Sequence, residues 1–292
     1  MMNGQKMTKK EIKVKECPMC RSRDRKLMYT PIRDSIKSYI YDCNNCGFRY
    51  NGIKLIDKNL KILDSKFITG YTKKNKFSRV EELYNHKLSK IENYMNKSPK
   101  NNKLRILDLG CGVGVMLSAA MKRGWKGCGV DPSISCCEVA RSKGLTVESK
   151  TLTEIGYKNN YFDLITAIEV IEHFEDPVKE FTEMRRTLKK DGLIVIQTAN
   201  VGSLNFIVKG GKAPYYYYDH LCYYSMKTIK MMLKKLNLKI VRAIPDEISL
   251  KHRIKSCNNL TQKIKWTMFY AMRALFLNKP YLCSMTLYIK KV

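Results

Sequence analysis

The chain has 292 residues and a formal net charge of +29, with 28% charged and 44% hydrophobic residues. This length accommodates one enzyme-sized domain with an ample core and a smaller additional module. No apolar run approaches the ~20 residues that a membrane-spanning helix needs, and the Lys-rich N-terminus has no signal-peptide core. We therefore expect a cytoplasmic protein whose cysteines are mostly reduced thiols.

The positive charge has two interpretations. A strongly basic surface attracts RNA, DNA or anionic lipid. Lysine is spread along the whole chain, often beside Asn and Ile, and this is typical of a compositional bias. We favour the bias because no aromatic-rich RNP strand is present, and nucleic acid remains the alternative partner.

Residues 1–56 contain two C-x-x-C motifs separated by 22 residues. The four cysteines are Cys17, Cys20, Cys43 and Cys46. Two such motifs on facing hairpin turns form a tetrahedral zinc site, with Gly47 supplying a tight turn and short strands expected over 27–30 and 38–41. We predict a structural zinc ribbon, since four cysteine ligands leave no open position for catalysis. Redox-active dithiols are the alternative, disfavoured because neither pair opens a helix after a strand.

Residues 57–102 form a polar linker with one predicted helix, over 79–95. Its apolar positions follow the helical rhythm. They are Val80, Leu83, Tyr84, Leu88, Ile91 and Tyr94. We expect this helix to pack on the domain that follows and to border its ligand pocket.

Residues 103–292 alternate predicted strands and helices. Strands are predicted over 104–109, 127–130, 146–148, 162–167, 193–198, 239–244 and 285–289. Helices are predicted from the glycine-rich turn to residue 123, over 133–143 and 177–188, and after a capping Ser225. The order is typical of an α/β, doubly wound, Rossmann-like sheet that binds ligands at the carboxyl ends of its strands.

The motifs Leu-Asp-Leu-Gly-Cys-Gly-Val-Gly (107–114) and Gly-Val-Asp-Pro (129–132) predict a nucleoside site. Asp131 ends the second strand, where a carboxylate usually accepts hydrogen bonds from a ribose diol. The glycines do not follow the G-x-G-x-x-G order of dinucleotide sites, and no Gly-Lys-Ser/Thr closes a phosphate-binding loop. Asp108 repels polyphosphate but suits a ligand that carries an ammonium and a sulfonium. S-adenosylmethionine has both charges and the ribose that Asp131 would hold, so it is the expected ligand.

These motifs resemble those of the class I S-adenosylmethionine-dependent methyltransferases, from about Lys103 to the C-terminus. The resemblance implies a seven-stranded sheet with an antiparallel final strand. It assigns cofactor contacts to Asp108, Gly110, Cys111, Gly112, Gly114, Asp131, Pro132, Thr151, Leu152 and Glu169. Thr151 and Leu152 would lie near the adenine. An insertion over 246–280 precedes the last strand and would cap the substrate, lie on a membrane surface or pack on the sheet edge.

Residues 169–173 resemble the E-x-x-E-H stretch of ubiquinone-pathway O-methyltransferases and of small-RNA 2′-O-methyltransferases. On a helix, Glu169, Glu172 and His173 would share one face. His220 matches the position of the fourth ligand in those subfamilies, so the four residues are a candidate divalent-metal site. Without a metal, His173 or His220 would act as a general base beside Glu172. In the third interpretation the cluster is purely structural.

The expected activity is O-methylation of a small molecule, a sugar or a lipid-linked glycan. A four-cysteine ribbon, a helical linker and such a domain together resemble bacterial enzymes that modify sugars or lipid-linked intermediates of surface polysaccharides. Six tyrosines near His220 form either an aromatic lid or core packing. They are Tyr215, Tyr216, Tyr217, Tyr218, Tyr223 and Tyr224. Methylation of RNA is the alternative activity, and a non-catalytic binding module is the alternative class.

Overall fold

The computed structural model describes residues 11–55, 68–70, 76–95, 104–245, 259–264, 267–268 and 284–292. Seven short strands come first. They are β1 (Glu11–Lys13), β2 (Arg25–Tyr29), β3 (Ile32–Arg33), β4 (Ile36–Lys37), β5 (Ile40–Cys43), β6 (Arg49–Asn51) and β7 (Ile53–Leu55). The strands predicted over 27–30 and 38–41 correspond to β2 and β5, with β5 placed slightly later in the chain. We call residues 11–55 the cysteine module.

Helix α1 (Lys76–Met95) contains the helix predicted over 79–95. Leu88 and Ile91 are fully buried, as their helical spacing predicts. The carboxylate of Glu92 is also buried and accepts a hydrogen bond from Arg123 at 2.6 Å. The helix therefore packs on the large domain as predicted. Its apolar face makes the contact, and the Glu92–Arg123 pair adds a charged one.

The large domain contains the strands and helices whose bounds follow. Its strands are β8 (Arg105–Leu109), β9 (Lys126–Val130), β10 (Val147–Glu148), β11 (Phe162–Ile168), β12 (Leu188–Ala199), β13 (Cys222–Tyr223), β14 (Leu238–Pro245) and β15 (Ser284–Lys291). Its helices are α2 (Val115–Lys122), α3 (Ile134–Arg141), α4 (Leu152–Ile155), α5 (Pro177–Thr187), α6 (Leu204–Lys209) and α7 (Met226–Lys235). Ser225 caps α7, as predicted, by accepting from the backbone N–H of Thr228.

Seven strands form one sheet in the order β10-β9-β8-β11-β12-β15-β14. The pairs from β10 to β12 are parallel, whereas β15 is antiparallel to both β12 and β14. The predicted α/β Rossmann-like sheet with an antiparallel final strand is therefore confirmed. Most of the predicted insertion, 246–280, lies outside the described residues.

The cysteine module and the large domain share a second sheet, whose order is β13-β6-β5-β2. Tyr50 of β6 pairs with Cys222 of β13, which follows the His220 segment of the large domain. This antiparallel pairing joins the cysteine module to the carboxyl edge of the main sheet. No helix within the described part of the chain is both long and apolar enough to cross a membrane.

Candidate active site

The loop after β8 combines an unusual backbone conformation with close packing. Gly110, Gly112 and Gly114 have φ of +61°, +51° and +79°, in the left-handed region that favours glycine. A Cβ on Gly110 would lie 2.3 Å from Cγ2 of Val170. A Cβ on Gly114 would lie 2.3 Å from Cδ1 of Leu145. The loop therefore needs glycine both for its conformation and for the space around it.

Asp131 closes this loop from the neighbouring strand. Its Oδ2 accepts from the backbone N–H of Gly112 at 2.8 Å, and its Oδ1 accepts from that of Ser133 at 2.9 Å. An ionised carboxylate offers about four acceptor positions. Holding the loop is therefore compatible with accepting from the hydroxyls of a ribose. Pro132 is exposed next to it.

Asp108 is a buried carboxyl group within β8, and only 4% of the residue is exposed. Its pKa is raised to about 7, mainly by burial and also by the charge of Asp131, against the opposing effect of the Thr166 hydroxyl. Thr166 Oγ1 donates to Asp108 Oδ1 at 2.7 Å. A buried carboxyl group gains its charge most readily when a cation approaches it. Asp108 therefore suits a ligand that carries an ammonium.

Three other residues were predicted to contact the cofactor: Cys111, Thr151 and Leu152. The side chains of Cys111 and Leu152 face the protein interior, and only that of Thr151 is exposed. The Cys111 thiol faces the sheet, since a Cβ on Gly129 would lie 2.6 Å from its Sγ. Leu152 is 1% exposed and packs in the core. Thr151 is exposed, and both its backbone N–H and its hydroxyl donate to Glu154 Oε2 at 2.7 Å. A base bound at this turn would therefore contact mainly backbone atoms.

The segment 169–173 differs from the predicted helix. Glu169 has φ +56°, and a single 3-10 turn begins only at Ile171 and ends at His173. Glu169 is exposed, and its Oε1 accepts from Gln197 Nε2 at 2.9 Å. The prediction that Glu169, Glu172 and His173 share one helical face is wrong, because the chain changes direction at Glu169 before the turn begins.

Three of the four predicted metal ligands come together. The potential ligand atoms of Glu172, His173 and His220 all lie within 4.8 Å of one another. The two imidazole rings meet edge to face, with their centroids 4.8 Å apart. Glu169 is not a member of this close group, although its side chain hydrogen-bonds to that of Glu172. We call Glu172, His173 and His220 the Glu-His cluster.

Both histidines use the same ring nitrogen to hold their orientation. Nδ1 of His173 lies 3.0 Å from the carbonyl oxygen of Asp219, and Nδ1 of His220 lies 2.9 Å from that of Tyr215. A carbonyl oxygen only accepts, so Nδ1 carries a proton, and in the neutral ring Nε2 keeps its lone pair. The pKa of His220 is lowered to about 4, mainly by burial and also by the neighbouring His173. His220 is therefore neutral at pH 7, the form that binds a metal.

Glu172 is almost fully buried, and burial raises its pKa. Its Oε1 accepts from the Tyr215 hydroxyl at 2.5 Å, and its Oε2 accepts from Thr198 Oγ1 at 3.0 Å. Sequence reasoning did not single out Thr198. The available signal was its position near the carboxyl end of β12, because the ligand-binding side chains of such sheets gather at that edge.

The Glu-His cluster lies beside the glycine loop. Val170 precedes the 3-10 turn that carries Glu172 and His173, and its side chain packs directly against Gly110. A ligand seated on the glycine loop would therefore lie near the two imidazoles and the buried carboxyl group of this cluster.

The tyrosines near His220 mainly fill the core. Tyr216 and Tyr223 are fully buried, Tyr224 is 1% exposed and Tyr218 is 6% exposed. Only Tyr217, at 41%, is substantially exposed. Of the two interpretations of this tyrosine-rich segment, core packing therefore applies to four of its six members.

The cysteine module brings its two motifs face to face. Sγ of Cys17 lies 3.6 Å from Sγ of Cys46, and Sγ of Cys20 lies 3.5 Å from Sγ of Cys43. All four Sγ atoms lie within 4.8 Å of one another. A zinc ion with Zn–S bonds of about 2.3 Å requires sulfurs about 3.8 Å apart. The donor set and its spacing are therefore compatible with a tetrahedral zinc site.

The two motifs also have the same turn geometry. The N–H of Arg21 donates to the carbonyl oxygen of Cys17, and the N–H of Gly47 donates to that of Cys43, both at 2.8 Å. Arg21 and Gly47 have φ of +63° and +70°. Gly47 thus supplies the predicted tight turn, and Arg21 adopts the same left-handed conformation without being glycine.

Comparisons with known proteins agree with this arrangement. Residues 77–243, more than half of the chain, match the family model of a methyltransferase domain. A ubiquinone biosynthesis O-methyltransferase from Actinobacillus pleuropneumoniae is 32% identical over 107 residues, covering 33% of this chain and 46% of the relative. A protein of the same name from Histophilus somni is 28% identical over 135 residues, covering 42% and 56%. The chain spans about half the length of the curated relatives it matches.

Solved structures show the same fold. An S-adenosylmethionine-dependent methyltransferase from Archaeoglobus fulgidus superposes with a TM-score of 0.53 at 20% identity, covering 77% of this chain and 99% of that one. The PH0226 protein from Pyrococcus horikoshii gives a TM-score of 0.52 at 17% identity, covering 76% and 95%. With its sheet order, its glycine loop and the family match, the chain belongs to the S-adenosylmethionine-dependent methyltransferase domain family.

Proposed function

We propose that the chain transfers a methyl group from S-adenosylmethionine to an oxygen atom of a small-molecule, sugar or lipid-linked glycan acceptor. The observation that carries the proposal is the contact of Val170 with Gly110, which puts the Glu-His cluster beside the glycine loop. The matched relatives that are named O-methyltransferases support oxygen as the acceptor atom.

The glycine loop and its neighbouring carboxylates would hold the cofactor. In this proposal Asp131 accepts from the ribose hydroxyls, Asp108 lies near the ammonium, and the backbone at Thr151 and Leu152 contacts the adenine. The remaining contacts come from Gly110, Cys111, Gly112, Gly114, Pro132 and Glu169. The Asp108 carboxyl group is buried, and its ionised form is stabilised by a nearby cation. This supports a positively charged ligand over a nucleotide phosphate.

The Glu-His cluster would act on the acceptor. His173 and His220 present Nε2 lone pairs, and Glu172 presents a carboxylate, so together they would hold a divalent ion. Such an ion would lower the pKa of an acceptor hydroxyl. Without it, Nε2 of either histidine would accept the hydroxyl proton directly. Transfer assayed after chelation and after adding back Mg²⁺ or Mn²⁺ separates the two roles.

The four cysteines would hold one structural zinc ion. In this proposal the ion fixes the cysteine module, which in turn supports the segment that carries His220. Elemental analysis of the purified chain tests this assignment.

Calorimetric titration with S-adenosylmethionine tests the cofactor site. We expect binding by the wild-type chain and a loss of at least about tenfold in affinity in Asp131→Ala, about 1.4 kcal/mol. Asp191→Ala is the matched control, because Asp191 is an exposed carboxylate on β12. No binding by the wild-type chain would overturn the proposal, and binding without transfer to any acceptor would favour a non-catalytic module.

A further inference from the structure

The outer face of α6 is apolar and exposed. Leu204, Ile207 and Val208 are 63%, 67% and 76% exposed. Residues at i, i+3 and i+4 lie on one side of a helix, so these three side chains form one patch. Single exposed aliphatic residues are common on protein surfaces, whereas a contiguous apolar patch marks an interaction site.

The inner face of the same helix packs towards the candidate active site. Phe206 is 4% exposed, and its ring meets those of Tyr215 and Tyr216 edge-on at 5.9 and 5.8 Å. The Tyr215 hydroxyl donates to Glu172 of the Glu-His cluster. Only the thickness of one helix and one ring therefore separates the exposed patch from this cluster.

A cavity of about 520 Å³ lies between the cysteine module and the turn that follows α6. Its lining includes Tyr29, Ile32, Arg33, Gly211 and Lys212. Ile32, which lines this cavity, is itself an exposed apolar residue, at 62%.

Three cations lie along or beside this turn. The stretch from Leu204 to Lys212 contains no acidic residue, and both of its lysines, Lys209 and Lys212, are exposed. Arg33 donates from Nη2 to the carbonyl oxygen of Ala213 at 3.3 Å, so a third cation lies beside the turn. An apolar helical face with a cationic rim is typical of helices that lie in a membrane interface.

We propose that the outer face of α6, with Lys209, Lys212 and Arg33 at its rim, docks on a bilayer that carries anionic headgroups. Aliphatic side chains would enter the interface while the cations meet the negative surface. A second copy of the chain would bring a like-charged rim against this one, and RNA would leave the aliphatic side chains exposed. Charge complementarity therefore favours an anionic lipid surface over both.

Vesicle sedimentation of the full chain tests the proposal. We expect binding to vesicles of phosphatidylcholine and phosphatidylglycerol (3:1) and little binding to pure phosphatidylcholine. The double variant Ile207→Ser/Val208→Ser should bind the anionic vesicles at least about tenfold less tightly. Met121→Ser is the matched control, because Met121 is 42% exposed on a different helix and should leave binding unchanged.

A second pair of substitutions keeps the test informative if the apolar variant is unstable. Lys209→Gln/Lys212→Gln should lower the affinity for anionic vesicles about fivefold for each lysine. This loss of affinity should be smaller at high salt, because salt screens the attraction. Absence of binding to anionic vesicles, or equal binding by the double variants, would overturn the proposal. A dimer lost in Ile207→Ser/Val208→Ser, without vesicle binding, would overturn it in favour of a second copy. The assay contains neither cofactor nor acceptor, so its failure leaves the proposed methyl transfer untouched.

Discussion

Arg49 Nη1 donates a hydrogen bond to the hydroxyl oxygen of Tyr216 at 2.7 Å. The two carboxylate oxygens of Asp42 accept from the same guanidinium at 2.6 and 2.8 Å. Asp42 belongs to the cysteine module, so the module itself holds the Arg49 side chain in this orientation. The backbone continues the connection: the N–H of Asn51 donates to the carbonyl oxygen of Leu221 at 2.9 Å. The N–H of Leu221 in turn donates to the carbonyl oxygen of Glu172 at 2.7 Å. The module is therefore joined directly to the candidate acceptor site.

Arg49→Met should lower the free energy of unfolding by about 1–3 kcal/mol, because it leaves Asp42 and the buried Tyr216 without their shared partner. Denaturant unfolding followed by circular dichroism measures this change. Arg23→Met is the control: the Arg23 side chain is 77% exposed where it meets Glu16, and losing such a pair costs about 0–1 kcal/mol. Equal effects of the two substitutions would contradict a structural role for Arg49.

The purified chain should contain about one zinc ion, and Cys43→Ser should lose it. We expect the melting temperature of this variant to fall before its affinity for S-adenosylmethionine does, since the four cysteines lie in the module and not in the glycine loop. Elemental analysis and thermal melts measure both effects. Cys128→Ser, which removes a half-buried thiol outside the cluster, should keep the zinc. A zinc-free chain of unchanged stability would refute the metal site.

Gly110→Ala should abolish cofactor binding. The new Cβ would lie 2.3 Å from Cγ2 of Val170, and the residue would have to keep φ +61°. Gly124→Ala separates these two effects, because Gly124 has φ +78° but nothing lies within 4 Å of its added Cβ. We expect Gly124→Ala to lose about 1–2 kcal/mol of stability and to bind cofactor normally. Calorimetry that shows normal binding by Gly110→Ala would contradict the proposed cofactor loop.

Cofactor affinity should rise between pH 5.5 and 7. Burial holds the pKa of Asp108 at about 7 in the ligand-free chain, and a bound ammonium requires the ionised carboxylate. The ammonium of the ligand stays protonated over this range, since an α-amino group has a pKa of about 7.7–8.0. Titrations at pH 5.5, 6.2 and 7 should show weaker binding at each lower pH. Asp108→Asn should bind weakly with a flat profile, and a wild-type profile equally flat would rule out this role.

The same carboxyl group affects stability with the opposite trend. Its folded-state pKa of about 7 lies above the ordinary 3.8, so the folded chain holds this proton more tightly than the unfolded chain. Its stabilising contribution is therefore complete below pH 3.8 and is lost as the pH rises to about 7. Between these values the free energy of unfolding of Asp108→Asn should depend less on pH than that of the wild type. Parallel stability curves would contradict the raised pKa.

The main sheet and the glycine loop could be predicted from sequence because short-range patterns encode them. Apolar runs bounded by turns mark the buried strands, and a positive φ at Gly110 is what a strand-to-helix turn near a ligand requires. The grouping of the four cysteines could also be predicted from sequence, because the spacing of metal ligands is local within each C-x-x-C motif.

The rest depends on contacts between distant parts of the chain. Arg49 and Tyr216 are 167 positions apart, and nothing local marks either residue as the partner of the other. The error at Glu169 has the same origin: the E-x-x-E-H spacing suits a helix, but the chain turns at Glu169 where Val170 reaches Gly110. Tertiary packing overrode the local pattern at that point.

Transfer of label from methyl-labelled S-adenosylmethionine tests the central claim most directly. The wild-type chain and Gly110→Ala would each be incubated with a cell extract and separated into RNA, protein, lipid-linked glycan and small-molecule fractions. We predict label in the glycan or small-molecule fraction with the wild-type chain alone. Label confined to RNA would contradict the proposed acceptor class, and no label in any fraction, from a chain that binds the cofactor, would contradict the proposed methyl transfer.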